Sequence, residues 1–150
     1  MIAERAAFFI ALLVAAPVAQ GQVEARGAWV RATVPGQTTS GAYMQLTSSE
    51  RAILVGAESS AAADAEIHEM RMEGKVMRMR AVPRLELLPG KTVEFKPGGY
   101  HIMLLGLKRP LKKGEVVPIG LKLEMKDKSV RTVEVRAEVR EPTAAGQHSR

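Results

Sequence analysis

The sequence predicts an all-β sandwich, and two observations support this prediction. Short segments of apolar or alternating residues recur at roughly ten-residue spacing, with Gly and Pro between them. After residues 1–21, no segment of useful length has the periodicity of an amphipathic helix. A chain of 150 residues is long enough for one domain with its own apolar core.

The composition excludes several classes of function. The chain has no cysteine, which rules out disulfides and thiolate chemistry. Its formal charge of +6 would suit a nucleic acid or a membrane surface, but Lys and Arg are scattered among Asp and Glu, and only 4% of the residues are aromatic. We therefore expect no nucleic-acid binding and contact with membranes only through partner proteins. A solvated basic surface that steers an acidic protein partner is the simpler interpretation.

Residues 1–21 have the features of a secretory signal peptide. The apolar run from Ala6 to Ala16 has the length of a signal-peptide core and is too short to span a membrane. The segment Ala19-Gln20-Gly21 offers small residues at the two positions that signal peptidase reads, so we expect cleavage after Gly21. An uncleaved interfacial anchor is the alternative, because the charges of the leading segment cancel. The sequence thus predicts an exported, periplasmic domain of residues 22–140.

The predicted strands follow the alternation of apolar and polar residues and end at turn signals. Before a central hairpin they are 28–33, 42–47 and 53–57; after it come a short edge strand around Leu85 and Leu87, then 92–95, 100–103, 116–125 and 129–139. The clearest turn signal is Lys96-Pro97-Gly98-Gly99. We expect Trp29 to be a core residue and residues 59–64 to be a small-residue connection.

Methionine and histidine are concentrated between Ile67 and Met103, which hold five of the eight Met and two of the three His. The run H-E-M-R-M-E-G-K-V-M-R-M predicts a hairpin with Glu73-Gly74 as its two-residue turn, since Gly accepts the positive φ of tight turns. That register pairs His68 with Met79, Met70 with Met77 and Met72 with Lys75. Directly opposed side chains lie within about 5.5 Å at Cβ, so an imidazole and a thioether can close on one ion.

His101 and Met103 offer the same two donor groups on another predicted strand. Thioether sulfur is soft and uncharged, and it suits Cu(I) better than Zn(II), Fe(II) or hard cations. Structural zinc sites and blue-copper sites both rely on Cys, which the chain lacks. The donor set therefore indicates a site that holds Cu(I).

A structural interpretation of the same residues stays open. Flexible Met side chains often fill irregular gaps in a core, and a His on a strand is often only a hydrogen-bonded structural residue. We interpret Met70, Met72 and Met77 as packing or surface residues that are not ligands but can substitute for a lost one.

The spacing from His68 through Met79 and His101 to Met103 resembles that of the periplasmic Cu(I) chaperones called PCuAC. Neighbouring words are similar too: H-E-M-R-M at 68–72, V-M-R-M-R at 76–80, K-P-G-G-Y-H-I-M-L-L-G-L at 96–107, G-A-W-V-R-A-T-V-P-G at 27–36, A-Y-M at 42–44 and L-K-K-G-E at 111–115. The resemblance covers about residues 27–140.

The resemblance implies a cupredoxin-like, immunoglobulin-like β-sandwich. It implies one Cu(I) per chain, bound by His68, Met79, His101 and Met103. It also implies delivery of copper towards the binuclear copper centre of cytochrome c oxidase, alone or with a Sco-type partner.

We therefore expect a metallochaperone and not an enzyme. A copper-dependent redox enzyme is disfavoured, because His and Met alone stabilise Cu(I) and no open coordination position or acid/base pair is evident. A structural or adhesive β-sandwich without metal transfer remains the alternative. Residues 141–150 are expected to be a disordered tail, and a single histidine there, His148, is too little to predict a second site. Imidazoles must lose a proton to bind a metal, so Cu(I) affinity is expected to fall as the pH drops through about 6.5.

Overall fold

The computed structural model describes residues 22–142, and all regular elements in that range are strands. They are β1 Val23–Arg31, β2 Thr39–Ser48, β3 Ala52–Glu58, β4 Ala62–Glu73, β5 Val76–Ala81, β6 Leu85–Leu87, β7 Val93–Phe95, β8 Tyr100–Leu107, β9 Val116–Glu124 and β10 Val130–Arg140. In the part of the chain so described, no helix is long and apolar enough to cross a membrane. The predicted signal peptide and the tail with His148 lie outside the described residues.

The ten strands form one continuous hydrogen-bonded order, β5-β4-β8-β7-β2-β1-β10-β9-β3-β6, in which β8 also pairs with β2. Most neighbours are antiparallel, whereas β1 runs parallel to β10. β3 and β4 lie far apart in this order and yet contact each other, so the sheet folds over and packs against itself. The predicted all-β sandwich is confirmed.

The core lies between the two halves of the folded sheet. On β8, Ile102 and Leu104 are fully buried. On β9 the alternate residues Val117, Ile119, Leu121 and Leu123 are buried in the same way. Each such side chain contributes roughly 1.5–3 kcal/mol when it leaves water. Because neighbouring strand residues point to opposite faces, His101 and Met103 lie on the outer face of the sheet.

The register of the β4–β5 hairpin differs from the sequence prediction by two residues. The turn is Gly74-Lys75 and not Glu73-Gly74, since Glu73 pairs with Val76. Met72 therefore pairs with Met77, Met70 with Met79, and His68 with Ala81. Gly74 has a φ of 66°. It occupies the first central position of a two-residue loop, where the tight hairpin turns place a positive φ.

Two smaller expectations were also wrong. Residues 62–64 belong to β4, so the predicted small-residue connection is shorter than expected. Trp29 is only half-buried: it lies outside the buried core cluster and stacks on Tyr43, with ring centroids 4.6 Å apart. The other strands overlap the predicted segments, but β1 begins five residues before the predicted start at residue 28 and β8 ends four residues after the predicted end at residue 103.

Substitutions at two glycines can test how closely β8, the strand that carries His101, packs against β4. Gly106 has a φ of 63°, and a Cβ placed there would lie 2.9 Å from Cβ of Ala63 on the paired strand. Gly74 has a similar φ of 66° but nothing within 4 Å of such a Cβ. Gly74→Ala should cost about 1–2 kcal/mol of unfolding free energy from backbone strain. Gly106→Ala should cost about 2–4 kcal/mol because overpacking adds to that strain.

Urea unfolding of the two variants measures the difference, with Gly74→Ala as the matched control for backbone strain. Equal losses in both variants would contradict the close packing of β8 on β4.

Candidate metal centre

The two histidines of the central segment lie side by side on adjacent strands. β4 and β8 are antiparallel, and their register pairs His68 with His101. The ring centroids are 5.7 Å apart in an edge-to-face arrangement. His101 is 4% exposed and the side chain of His68 is 13% exposed, so little of either ring meets water although the pair lies on the outer face of the sheet.

Each imidazole is oriented by a hydrogen bond to one of its nitrogens. Nδ1 of His101 lies 3.2 Å from the carbonyl oxygen of Gly99 and donates to it. Nε2 of His68 lies 2.7 Å from Oε2 of Glu66 and donates to that carboxylate. Such hydrogen bonds fix the tautomer and ring orientation of metal-binding histidines. In both rings the other nitrogen then carries a lone pair.

Those other nitrogens have no partner within the described residues. Nδ1 of His68 and Nε2 of His101 are buried and make no hydrogen bond to any part of residues 22–142. A buried polar atom without a partner costs about 1–3 kcal/mol. Two such atoms on neighbouring rings fit a ligand that accepts electron pairs, such as a metal ion.

Three methionines and His101 border one cavity on this face. The cavity has a volume of about 290 Å³ and is lined in part by Met70, Met79, Met103 and His101. His68 does not line it and adjoins it through the ring of His101. Three of the four predicted site residues thus share the cavity. Met79 was expected directly opposite His68. It pairs instead with Met70 and lies diagonal to His68, which is opposite Ala81.

The structure adds residues that the sequence analysis did not single out. Gly41 on β2 pairs with Met103, and a Cβ on Gly41 would lie 2.6 Å from the hydroxyl oxygen of Tyr43. Gly41 therefore leaves room for the ring of Tyr43, which is buried with its centroid 6.5 Å from that of His101. Glu66 is the other addition. Its only sequence signal is its position two residues before His68, on the same strand face.

The residues around the cavity suit a soft metal ion better than a hard cation that needs charged ligands. Within residues 22–142, no group of three or more His, Asp or Glu is placed to hold a metal ion. Arg31 also lines the cavity, which adds a positive charge. Burial lowers the pKa of His101 below its ordinary value of 6.5, and the neighbouring His68 and Arg31 also lower it. The hydrogen bond that His101 donates to the carbonyl of Gly99 acts in the opposite direction. His101 is therefore held in the neutral form that binds metals.

The lowered pKa of His101 can be measured in the metal-free protein. Burial disfavours the imidazolium, so the ring proton resonances of His101 should titrate with a midpoint below 6.5. A pH series of NMR spectra gives the midpoint, and the His101→Gln variant assigns the signal. A midpoint at or above 6.5 would show that the ring is more solvated than the structure indicates.

Solved structures with the same fold include copper proteins. The copper-bound PCuAC domain of PmoF2 superposes with a TM-score of 0.65 at 22% identity, over 81% of this chain and 95% of that domain, a likeness of fold alone. DR1885 of Deinococcus radiodurans is closer in sequence. Its apo solution structure matches at 35% identity and a TM-score of 0.60, over 95% of both chains. Its CuI form matches at 38% identity and a TM-score of 0.60, over 77% of this chain and 76% of that one. The expected cupredoxin-like sandwich of the PCuAC type is confirmed.

The matched structures are PCuAC-type domains and DR1885, solved in apo and copper-bound forms. This agrees with the expectation that the chain is not an enzyme.

Sequence relatives define the family. "Putative lipoprotein Lxx21020" of Leifsonia xyli subsp. xyli (strain CTCB07) is 38% identical over 101 residues, which are 67% of this chain and 61% of that protein. The chain thus matches less than two thirds of the length of this relative. The profile of the family described as "Putative lipoprotein LpqE-like" matches residues 23–139, nearly all of the sandwich. The chain belongs to this LpqE-like family and has the fold of the PCuAC domains.

Proposed function

We propose that the protein is an exported Cu(I) carrier. It binds one Cu(I) per chain through His68, Met79, His101 and Met103. The observation that carries the proposal is the pair of buried imidazole nitrogens that have no hydrogen-bond partner within residues 22–142, beside a cavity lined by thioethers. The copper-bound and CuI forms of similar domains support the choice of metal.

The chemistry of the donors favours Cu(I) over other ions. Imidazole and thioether groups are neutral, and thioether sulfur is a soft ligand. No carboxylate cluster competes for a hard cation within residues 22–142. The donors leave the bound ion its positive charge, and the deep placement of His101 shields it from water.

Exposure differs among the four ligands, and this suits transfer. His101 is 4% exposed and holds the ion from the inside, whereas Met79 is 48% exposed and lies on the edge strand β5. A docked partner that presents its own soft ligand can displace the thioether of Met79 first. Copper then leaves by ligand exchange, with no change of oxidation state.

The alternative of a purely structural module finds little support in the hairpin. Met72, Met77 and Met79 are all exposed, by 58%, 46% and 48%. Side chains in such positions do not fill a core. A structural role explains neither these methionines nor the two imidazole nitrogens that have no partner in the described part of the chain.

Export and delivery complete the proposal. The predicted signal peptide and the lipoprotein family description support an exported, periplasmic location. The copper recipient is the copper-bearing subunit of cytochrome c oxidase, reached directly or through a Sco-type protein. This recipient rests on the resemblance of the sequence to PCuAC chaperones.

An anaerobic Cu(I) titration against a competing chelator tests the site. The wild-type chain should bind one tight equivalent, and His101→Ala/Met103→Ala should lose it because an imidazole and a thioether are removed together. Ile102→Val is the matched control. Ile102 lies between the two ligands but points into the core, so this change should cost only about 0.5–1.5 kcal/mol of stability and leave binding intact. Absence of tight binding by the wild type would refute the carrier function.

The Cu(I) affinity of this site should depend on pH. Protonated imidazole has no lone pair for the metal, so affinity falls as the pH decreases. The lowered pKa of His101 keeps this ring neutral to a lower pH than an unperturbed histidine. Chelator competition at a series of pH values should therefore show a loss of affinity that develops below 6.5. Constant affinity between about pH 5 and pH 8 would exclude imidazole ligands.

A further inference from the structure

The outer face of the β4–β5 hairpin carries a ladder of four methionines. Met70 pairs with Met79 and Met72 pairs with Met77, all on the strand face that also carries His68. The corrected register creates this ladder, because the predicted one would have paired Met72 with a lysine. Met79 is already assigned to the copper site, which leaves three thioethers.

These three thioethers extend away from His68 and His101 towards the hairpin turn. Met70 lines the cavity, whereas Met72 and Met77 are 58% and 46% exposed and adjoin the turn at Gly74. The charged residues of the hairpin, such as Arg71 and its cross-strand neighbour Arg78, occupy the opposite face. The methionine face is thus apolar, accessible and rich in soft donors.

We propose that Met70, Met72 and Met77 form a second, weaker Cu(I) site that receives the ion and passes it to the histidine site. Opposed side chains on paired strands have Cβ atoms about 4.5–5.5 Å apart, so Met72 and Met77 can hold one ion between them. Met70 is the next residue on the same face, about 7 Å along the strand. The long, flexible Met side chain spans that step.

The direction of transfer follows from the donors. The methionine site, here called the outer site, has thioethers only and is open to water. The histidine site, here called the inner site, adds two imidazole nitrogens that have no hydrogen-bond partner among residues 22–142. The ion therefore moves from the weaker site near the hairpin turn to the tighter site at His101. Cu(I) remains Cu(I) throughout, and in each step an incoming thioether or neutral imidazole nitrogen replaces a thioether that leaves, so no proton is released.

This inference rests on the proposed carrier function but differs from it in pH dependence. Thioethers do not titrate in the ordinary pH range, so the outer site should bind Cu(I) equally at neutral and mildly acidic pH. The inner site loses affinity on acidification because its imidazoles accept protons. The two sites can therefore be distinguished within one protein.

The test uses the full chain with ¹³C-labelled methionine methyl groups, titrated anaerobically with Cu(I) at neutral pH and at about pH 5. The double variant Met72→Leu/Met77→Leu removes both exposed sulfurs while keeping apolar side chains of similar size. Val76→Leu, an exposed apolar change on the same hairpin, is the matched control. Stopped-flow mixing with Cu(I) gives the rate of loading of the inner site.

We expect two equivalents in the wild type and in the control, with the methyl signals of Met72 and Met77 shifting as the weaker equivalent binds. The double variant should keep the tight equivalent, lose the weaker one and load the inner site about tenfold more slowly, which corresponds to about 1.4 kcal/mol in the barrier. A single equivalent in the wild type, or unchanged loading in the double variant, would overturn the outer site and leave the carrier function intact. Binding only at Met72 and Met77 would support the outer site and refute the carrier function as proposed.

Discussion

The pairing of β4 with β8 is the constraint on which the rest of the site depends. Its register sets His68 opposite His101 and places Met103 two residues away on the same face. A shift of one residue would exchange the two faces of a strand. It would move His101 into the core and expose Ile102, so burial of Ile102 and Leu104 fixes the position of the side chains proposed to bind the metal.

Because residues alternate between the two faces of a strand, the residues of β8 that stabilise the core are not the ones that face the cavity. One face of β8 belongs to the hydrophobic core, and the other carries the soft donors. Outer-face positions can therefore hold groups that a core would not tolerate, such as a buried imidazole nitrogen without a partner. The cost of that atom is offset by the packing of its neighbours along the same strand.

Much of the fold could be predicted from the sequence because alternation and turn residues are local signals. The last hairpin, β9–β10, has a clear alternating pattern and was placed almost correctly. The β4–β5 register could not be fixed in the same way. Glu73-Gly74 and Gly74-Lys75 both put Gly in a two-residue loop, and both registers keep the methionines on one face. Only the pairing of the whole strands distinguishes the two registers.

The candidate site could likewise be predicted only in part from the sequence. The chemical types of its donors and their separation along the chain are visible in the sequence, but the contacts that prepare them are not. Glu66 orients His68, and Gly41 makes room for Tyr43 beside His101. Gly41 and Tyr43 reach the site through the pairing of β2 with β8, which joins segments about sixty residues apart. Trp29 was misplaced for a related reason: it packs on Tyr43 on the outer face and not in the core.

The donor side chains of the candidate site differ in their exposure to solvent. This difference bears on how a carrier can both hold and release copper. An ion enclosed by four buried ligands would leave slowly, because every ligand would have to move before a partner could reach it. Among the proposed ligands, His101 is oriented by its hydrogen bond to the carbonyl of Gly99, while Met79 lies exposed on an edge strand. Edge strands present free backbone groups that can pair with another chain. In the proposed carrier, the strand that a partner can reach is thus the one that bears the most exposed ligand, so docking and ligand exchange can occur at the same place.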